Sequence, residues 1–156
     1  MTPTKQKVLV VANRTADSPD LIEALRRRAA EEPTSFTLLV PAVPHGLAWA
    51  ADMKAGWSEA ALRADRAGAR IRQARLELTE VIVGDPDPYA AVGDVLHARE
   101  FDEVVVSTLP RTISGWLAVR LPARLRRTVG LPVAEMTAQP LAEPLPTGSA
   151  TESVAA

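Results

Sequence analysis

Apolar residues in this chain fall into two patterns. Some form short unbroken runs, and others recur every three or four positions. Residues 8–11, Val-Leu-Val-Val, are the first run, bounded by Lys7 and by the polar Asn13, Arg14 and Thr15. Such a run reads as a strand buried on both faces, as in a parallel sheet. Asp17 or Ser18 then offers a helix N-cap, with Pro19 at the first helical position. Leu21, Ile22, Leu25 and Ala29 follow at helical spacing, which predicts a helix over 19–30 that ends before Pro33. Residues 36–40 read as a second strand. A longer connection over 41–57 carries Pro41, Pro44, Gly46 and Gly56 and has room for a short helix.

From Ser58 to about Leu76 the pattern is helical again. Ala60, Ala64, Ala67, Ile71 and Ala74 make a narrow seam of small side chains, with Arg63, Arg66 and Arg70 on the opposite face. Leu62 and Arg75 do not fit that stripe. A third strand is predicted over 77–83. The turn Gly84-Asp85-Pro86-Asp87-Pro88 follows, with Asp87 as N-cap and Pro88 opening a third helix. Tyr89, Val92, Val95 and Leu96 give that helix its inner face. Residues 104–106 form a fourth strand. Ser114 caps a fourth helix starting at Gly115, which Pro122 is expected to interrupt or restart and Gly130 to end. A fifth strand runs from Leu131 to Met136. Strands alternating with helices give an α/β protein with one parallel, doubly wound sheet. The expected organisation is a flexible N-terminus (1–6), an α/β domain (7–137) and a disordered Pro/Ala-rich tail (138–156).

The chain's 156 residues suffice for one domain with its own core. Eighteen basic residues against 19 acidic ones leave a net charge of −1, so nothing in the bulk charge argues for nucleic acid or anionic membrane as a partner. Cysteine is absent, which removes disulfides, thiolate metal sites and cysteine nucleophiles. No signal core and no membrane-length apolar run is present, so a cytoplasmic location is expected.

In a doubly wound sheet, ligands sit beyond the carboxyl ends of the strands. The polar residues there are Asn13, Arg14 and Thr15, then Asp85, then Ser107 and Thr108. Thr112 and Ser114, with the amides of Gly115 and Trp116, offer donors to an anion at a helix N-terminus, and Arg111 adds charge. The alternative is that Ser107, Thr108 and Ser114 only satisfy the strand end and cap the helix. Neither the Walker spacing nor a GxGxxG after the first strand occurs. No His, Asp and Glu cluster has metal-ligand spacing, so no metal is expected. His97 reads as a surface or helix-end residue, and His45 stands in the long connection without a partner close in sequence. Trp49 is a candidate to cover a base, whereas Trp116 reads as a packing residue. The arginine groups 26–28 and 124–127 read as solvated helix faces.

The phrases VLVVANRT, VIVGDPDPYAAV, FDEVVVSTLP and GLPVAEM, in that order, resemble the universal stress protein family. The resemblance runs from about Lys7 to Thr137, and the Ser-Thr-Leu-Pro and Ser-x-Trp-Leu wording resembles an actinobacterial branch. It implies a three-layer sandwich around a five-stranded parallel sheet in the order 3-2-1-4-5, of the adenine nucleotide alpha hydrolase-like kind. It also implies a homodimer, paired through the strand from Leu131 to Met136. That strand is an exposed hydrophobic edge in a monomer.

ATP-binding members carry G-x2-G-x9-G-[ST] after the fourth strand. Here Ser107 takes the place of the first glycine and Pro110 the second, and the last pair falls near Val119-Arg120 or Arg120-Leu121. Glycine lets backbone approach a phosphate, whereas proline supplies no N–H. An aspartate commonly stands where this chain has Asn13. The resemblance thus implies a non-enzymatic stress-response or regulatory protein with a degenerate nucleotide site. Its candidate nucleotide-binding residues are Asn13, Val40, Ser107 and Thr108, together with Arg111, Thr112, Ser114 and Arg120. ATP or AMP is the candidate ligand. Two alternatives stand beside it: an ATP/AMP-binding protein or slow ATP hydrolase with an altered phosphate loop, and a flavodoxin-like module binding a flavin or receiving a signal. An unidentified protein partner is a further expectation.

Overall fold

Each buried apolar run becomes a strand in the computed structural model, which describes residues 4–43, 53–110 and 117–139. The strands are β1 (Gln6–Val11), β2 (Thr34–Pro41), β3 (Leu78–Gly84), β4 (Glu103–Thr108) and β5 (Val133–Thr137). All neighbours pair in parallel, in the order β3-β2-β1-β4-β5. The helices are α1 (Pro19–Glu31), α2 (Met53–Gln73), α3 (Pro88–Ala98) and α4 (Leu117–Thr128).

The strand period of two divides the core. Val8 and Val10 of β1 face Leu21 and Leu25 of α1 and the Ala60-Ala64-Ala67-Ile71 seam of α2. Leu9 and Val11 face Ala91, Val92 and Val95 of α3 and Leu125 of α4. The result is three layers, α1/α2, sheet and α3/α4. None of the described helices is long and apolar enough to cross a membrane.

Local chemistry sets the helix ends. The Ser18 hydroxyl caps α1 by accepting from the Asp20 N–H at 3.2 Å. Asp87 caps α3 by accepting from the Tyr89 N–H at 3.1 Å, and Asp85 in turn accepts from the Asp87 N–H at 2.8 Å. Past α2, Arg75 adopts φ 59°, the chain's non-glycine residue with positive φ among those described. Its N–H bonds to the Arg72 carbonyl at 2.9 Å, and the Leu76 N–H reaches back to Ile71 at 3.3 Å. This pair of bonds is the helix stop usually built on glycine, and it explains why Arg75 lay off the apolar stripe.

Two expectations change. α2 begins at Met53 rather than Ser58, so Gly56 and Trp57, assigned to the connection, lie in its first turns. A helix tolerates one glycine at a cost of roughly 1 kcal/mol. Pro122 does not interrupt α4, which runs through it. Proline's fixed φ is itself helical, so the loss is one backbone bond. α4 ends at Thr128, with Val129 as its cap and Gly130 just past it, where the sequence placed the stop. His45, Trp49 and Trp116, the start of α4 at Gly115 and residues 140–156 of the expected tail lie outside the described residues. Ala138, by contrast, is buried with its N–H on the Thr108 carbonyl at 2.9 Å, and the Gln139 N–H donates to the Asp20 carboxylate at 2.9 Å, so the ordered domain extends to 139.

Candidate functional site

The strand order fixes where a ligand can sit. From β1 the chain moves to β2 on one side, and from β3 it crosses to β4 on the other. The sheet therefore switches direction between β1 and β4. A cavity of about 220 Å³ opens at the carboxyl ends of these strands. Val11, Ala12, Asn13, Arg14 and Thr15 form its β1 side, and Pro41 and Val43 its β2 side. The stretch from Val106 to Leu109 closes the β4 side, with Pro88 of α3 and Leu121 of α4 over it. Its walls are predominantly apolar.

Apart from the exposed Arg14, the polar side chains around the cavity are engaged with the protein. Asn13 donates from Nδ2 to the Pro41 carbonyl at 2.5 Å and accepts at Oδ1 from Arg63 Nη1 at 2.9 Å. An amide supplies one donor and one acceptor group, and a carboxylate could not make the first of these bonds. The asparagine therefore ties the tips of β1 and β2 to α2. Arg63 is itself 12% exposed and pairs with Glu59 at 3.2 Å.

Its neighbours one and two turns on also reach the segment after β1. Arg66 lies 3.8 Å from the Asp17 carboxylate, and Arg70 donates to the Asp17 carbonyl at 3.4 Å. The sequence pattern puts these three arginines on the face opposite the seam. In the structure they stand beside the seam and fasten the turn that frames the cavity.

Thr15 and Ser107 face each other across the β1–β4 switch. Their hydroxyl oxygens are 2.7 Å apart, and both residues are buried. One hydroxyl donates to the other, and Thr15 Oγ1 also lies 3.4 Å from the Ser107 carbonyl, so the turn after β1 is pinned to the end of β4. The Thr108 hydroxyl turns toward β5, its single hydrogen shared between the Met136 carbonyl at 3.3 Å and Glu135 Oε1 at 3.4 Å.

The structure therefore brings Asn13, Ser107 and Thr108 together at the cavity. Val40 is not there. Its side chain is fully buried among Val10, Leu38 and the α1/α2 residues. The reason is parity, because in β2 it points to the face opposite Leu39. Arg120 lines an adjoining groove rather than the cavity itself. Arg111, Thr112 and Ser114 lie outside the described residues. Sequence reasoning missed Pro41, Val43, Pro88 and Leu121, apolar residues that carry no chemical signature. Among the described residues, no three His, Asp or Glu side chains are placed to hold a metal ion.

Comparison with solved structures places this geometry. A universal stress protein from Archaeoglobus fulgidus superposes on 83% of this chain and 92% of its own, with a TM-score of 0.56 at 17% identity. The fold is that of the universal stress proteins. A hypothetical protein superposes on 89% of this chain and 99% of its own, with a TM-score of 0.58 at 18% identity. A universal stress protein in complex with cAMP covers 86% of this chain and 98% of its own, with a TM-score of 0.47 at 22% identity. No protein-family model matches the sequence, and no curated protein matches it. At these identities the likeness to universal stress proteins is one of fold. It fixes the strand order and the place of the switch point, and the side chains there must be read on their own.

Proposed function

We propose that this chain is a universal-stress-type regulatory protein that binds an adenine nucleoside or nucleotide without turning it over. The observation that carries this reading is the apolar cavity at the β1–β4 switch point, the position where doubly wound sheets hold their ligands. Its roughly 220 Å³ lies below the range of about 300–1,000 Å³ typical of sites for drug-sized ligands. That size suits a base with its ribose and weighs against a tricyclic flavin.

The loop after β4 is degenerate as a phosphate cradle on this reading. Pro110 has no N–H to offer, and the Ser107 hydroxyl is held by Thr15. Asn13 is likewise committed to Pro41 and Arg63. Side chains held by the protein in this way favour binding over activation of a water for hydrolysis.

Titration calorimetry with adenosine and AMP is expected to show one site per chain with micromolar affinity, and a phosphate-release assay with ATP to show no turnover. Absence of binding by either ligand overturns the reading. Turnover that disappears in Ser107→Ala, with the fold intact, makes the protein an enzyme instead.

The homodimer belongs to the same proposal. β5 pairs with β4 on one side and is the last strand of the sheet on the other. An unpaired edge of this kind is a template for a second copy. Light scattering at micromolar concentration is expected to give twice the chain mass, and a monomer mass contradicts the pairing.

A further inference from the structure

The arginines of α4 do not all do the same thing. Arg126 donates from Nε to the Val133 carbonyl at 3.1 Å and so braces β5. Arg120, Arg124 and Arg127 recur at i, i+4 and i+7, which puts them on one stripe of the helix. That stripe lines a groove of about 890 Å³ between α4 and the start of α3. Three arginines there face one acidic side chain, Asp87. The Asp87 carboxylate is occupied as the α3 cap, accepting from the Tyr89 N–H at 3.1 Å.

Arg124 is held in place without an acid. Its guanidinium carbon lies 3.6 Å from the centre of the Tyr89 ring. Stacking of this kind fixes the plane of the group and leaves its N–H edge able to donate. Neither Arg124 nor Arg127 forms an ion pair with a described residue. Along the helix axis, Arg120 and Arg127 are separated by about 10 Å, longer than a single phosphate group.

The groove also adjoins the cavity. Val43, Pro88 and Leu121 line both. An apolar pocket next to a basic channel is the arrangement that a base followed by a chain of phosphates requires. The chain as a whole is nearly neutral, at −1, so this patch is a local reversal rather than part of a basic surface.

We propose that the phosphates of a bound nucleotide lie along the Arg120-Arg124-Arg127 groove, so that α4 replaces the lost glycine loop as the anion site. The proposal rests on the nucleoside reading of the cavity, and its test separates the two. Adenosine, ATP and tripolyphosphate are titrated into the native protein and into the double variant Arg124→Gln/Arg127→Gln. Both positions are exposed, so the fold is expected to survive, which circular dichroism verifies.

ATP is expected to bind about tenfold more tightly than adenosine, a gain of the size charged hydrogen bonds supply. The double variant is expected to lose that gain while its adenosine affinity is unchanged. Tripolyphosphate binding that weakens in the double variant supports the groove even if adenosine fails to bind, in which case only the nucleoside reading falls. An ATP affinity no higher than that of adenosine, or a gain that survives the double variant, overturns the proposal. Tripolyphosphate binding that is absent, or unaffected by the two substitutions, does the same.

Discussion

A valine at position 84 is expected to destabilise the protein by about 3 kcal/mol, at the upper end of what overpacking a tight core costs. Gly84 closes β3 opposite Pro41, and its carbonyl accepts from the Ala42 N–H at 3.0 Å. A Cβ built there would lie 2.8 Å from Leu39 Cδ1 and 2.9 Å from Ala91 Cβ. Both neighbours are buried, Leu39 in the sheet and Ala91 in the first turn of α3, so neither can swing aside. The glycine is what lets α3 sit against the end of β3, and α3 in turn delivers Pro88 to the cavity.

For a chain of this length, about 3 kcal/mol lowers the melting temperature by roughly 6–12 °C. Gly93 supplies the control within the same helix. A Cβ there meets nothing within 4 Å, so Gly93→Ala is expected to stabilise by roughly 0.5–1 kcal/mol. Thermal denaturation of the two variants should move in opposite directions. A Gly84→Val protein as stable as the native one would show that the α3–sheet contact is wrongly drawn.

The second large effect is on binding. Leu121 lines both the cavity and the groove, and its partly buried side chain also packs against the Leu9, Val11 and Leu125 cluster. Leu121→Trp puts an indole into a space of about 220 Å³. Adenosine affinity is expected to fall by about a hundredfold or more, equivalent to about 2.8 kcal/mol. Stability is expected to fall by about 1–3 kcal/mol, the cost of overpacking beside the core, which leaves the variant folded for the binding measurement. Unchanged affinity, measured calorimetrically on the folded variant, would place the ligand elsewhere.

The architecture was legible because its determinants are local and repetitive. Unbroken runs such as Val8-Leu9-Val10-Val11 can only be satisfied by burial on both faces, and the helix caps at Ser18 and Asp87 are short-range chemistry. The alanine seam of α2 showed which face of that helix meets the sheet. The site was legible in part. The ordered phrases pointed to Asn13, Ser107 and Thr108, and strand-end position puts all three at the cavity.

What they do there was not legible. Whether a hydroxyl faces a ligand or another hydroxyl depends on a contact between residues 92 positions apart, as for Thr15 and Ser107. Asn13 likewise depends on Arg63, 50 positions away. The residue type alone carries no sign of that pairing. Val40 was misplaced because its face within β2 decides its fate more than its nearness to the strand end. Arg124 and Arg127 are exposed, as their pattern implies, but nothing in the sequence brings Tyr89 under Arg124.

An adenine nucleoside is expected to bind at the β1–β4 switch point. Amide chemical shifts followed through an adenosine titration would locate it. The predicted result is a set of shifts at Asn13, Thr15, Val43, Ser107 and Leu109, saturating together, with His97 and Val129 at the far ends of α3 and α4 unmoved. Shifts confined to that far end, or none at millimolar adenosine, would contradict it.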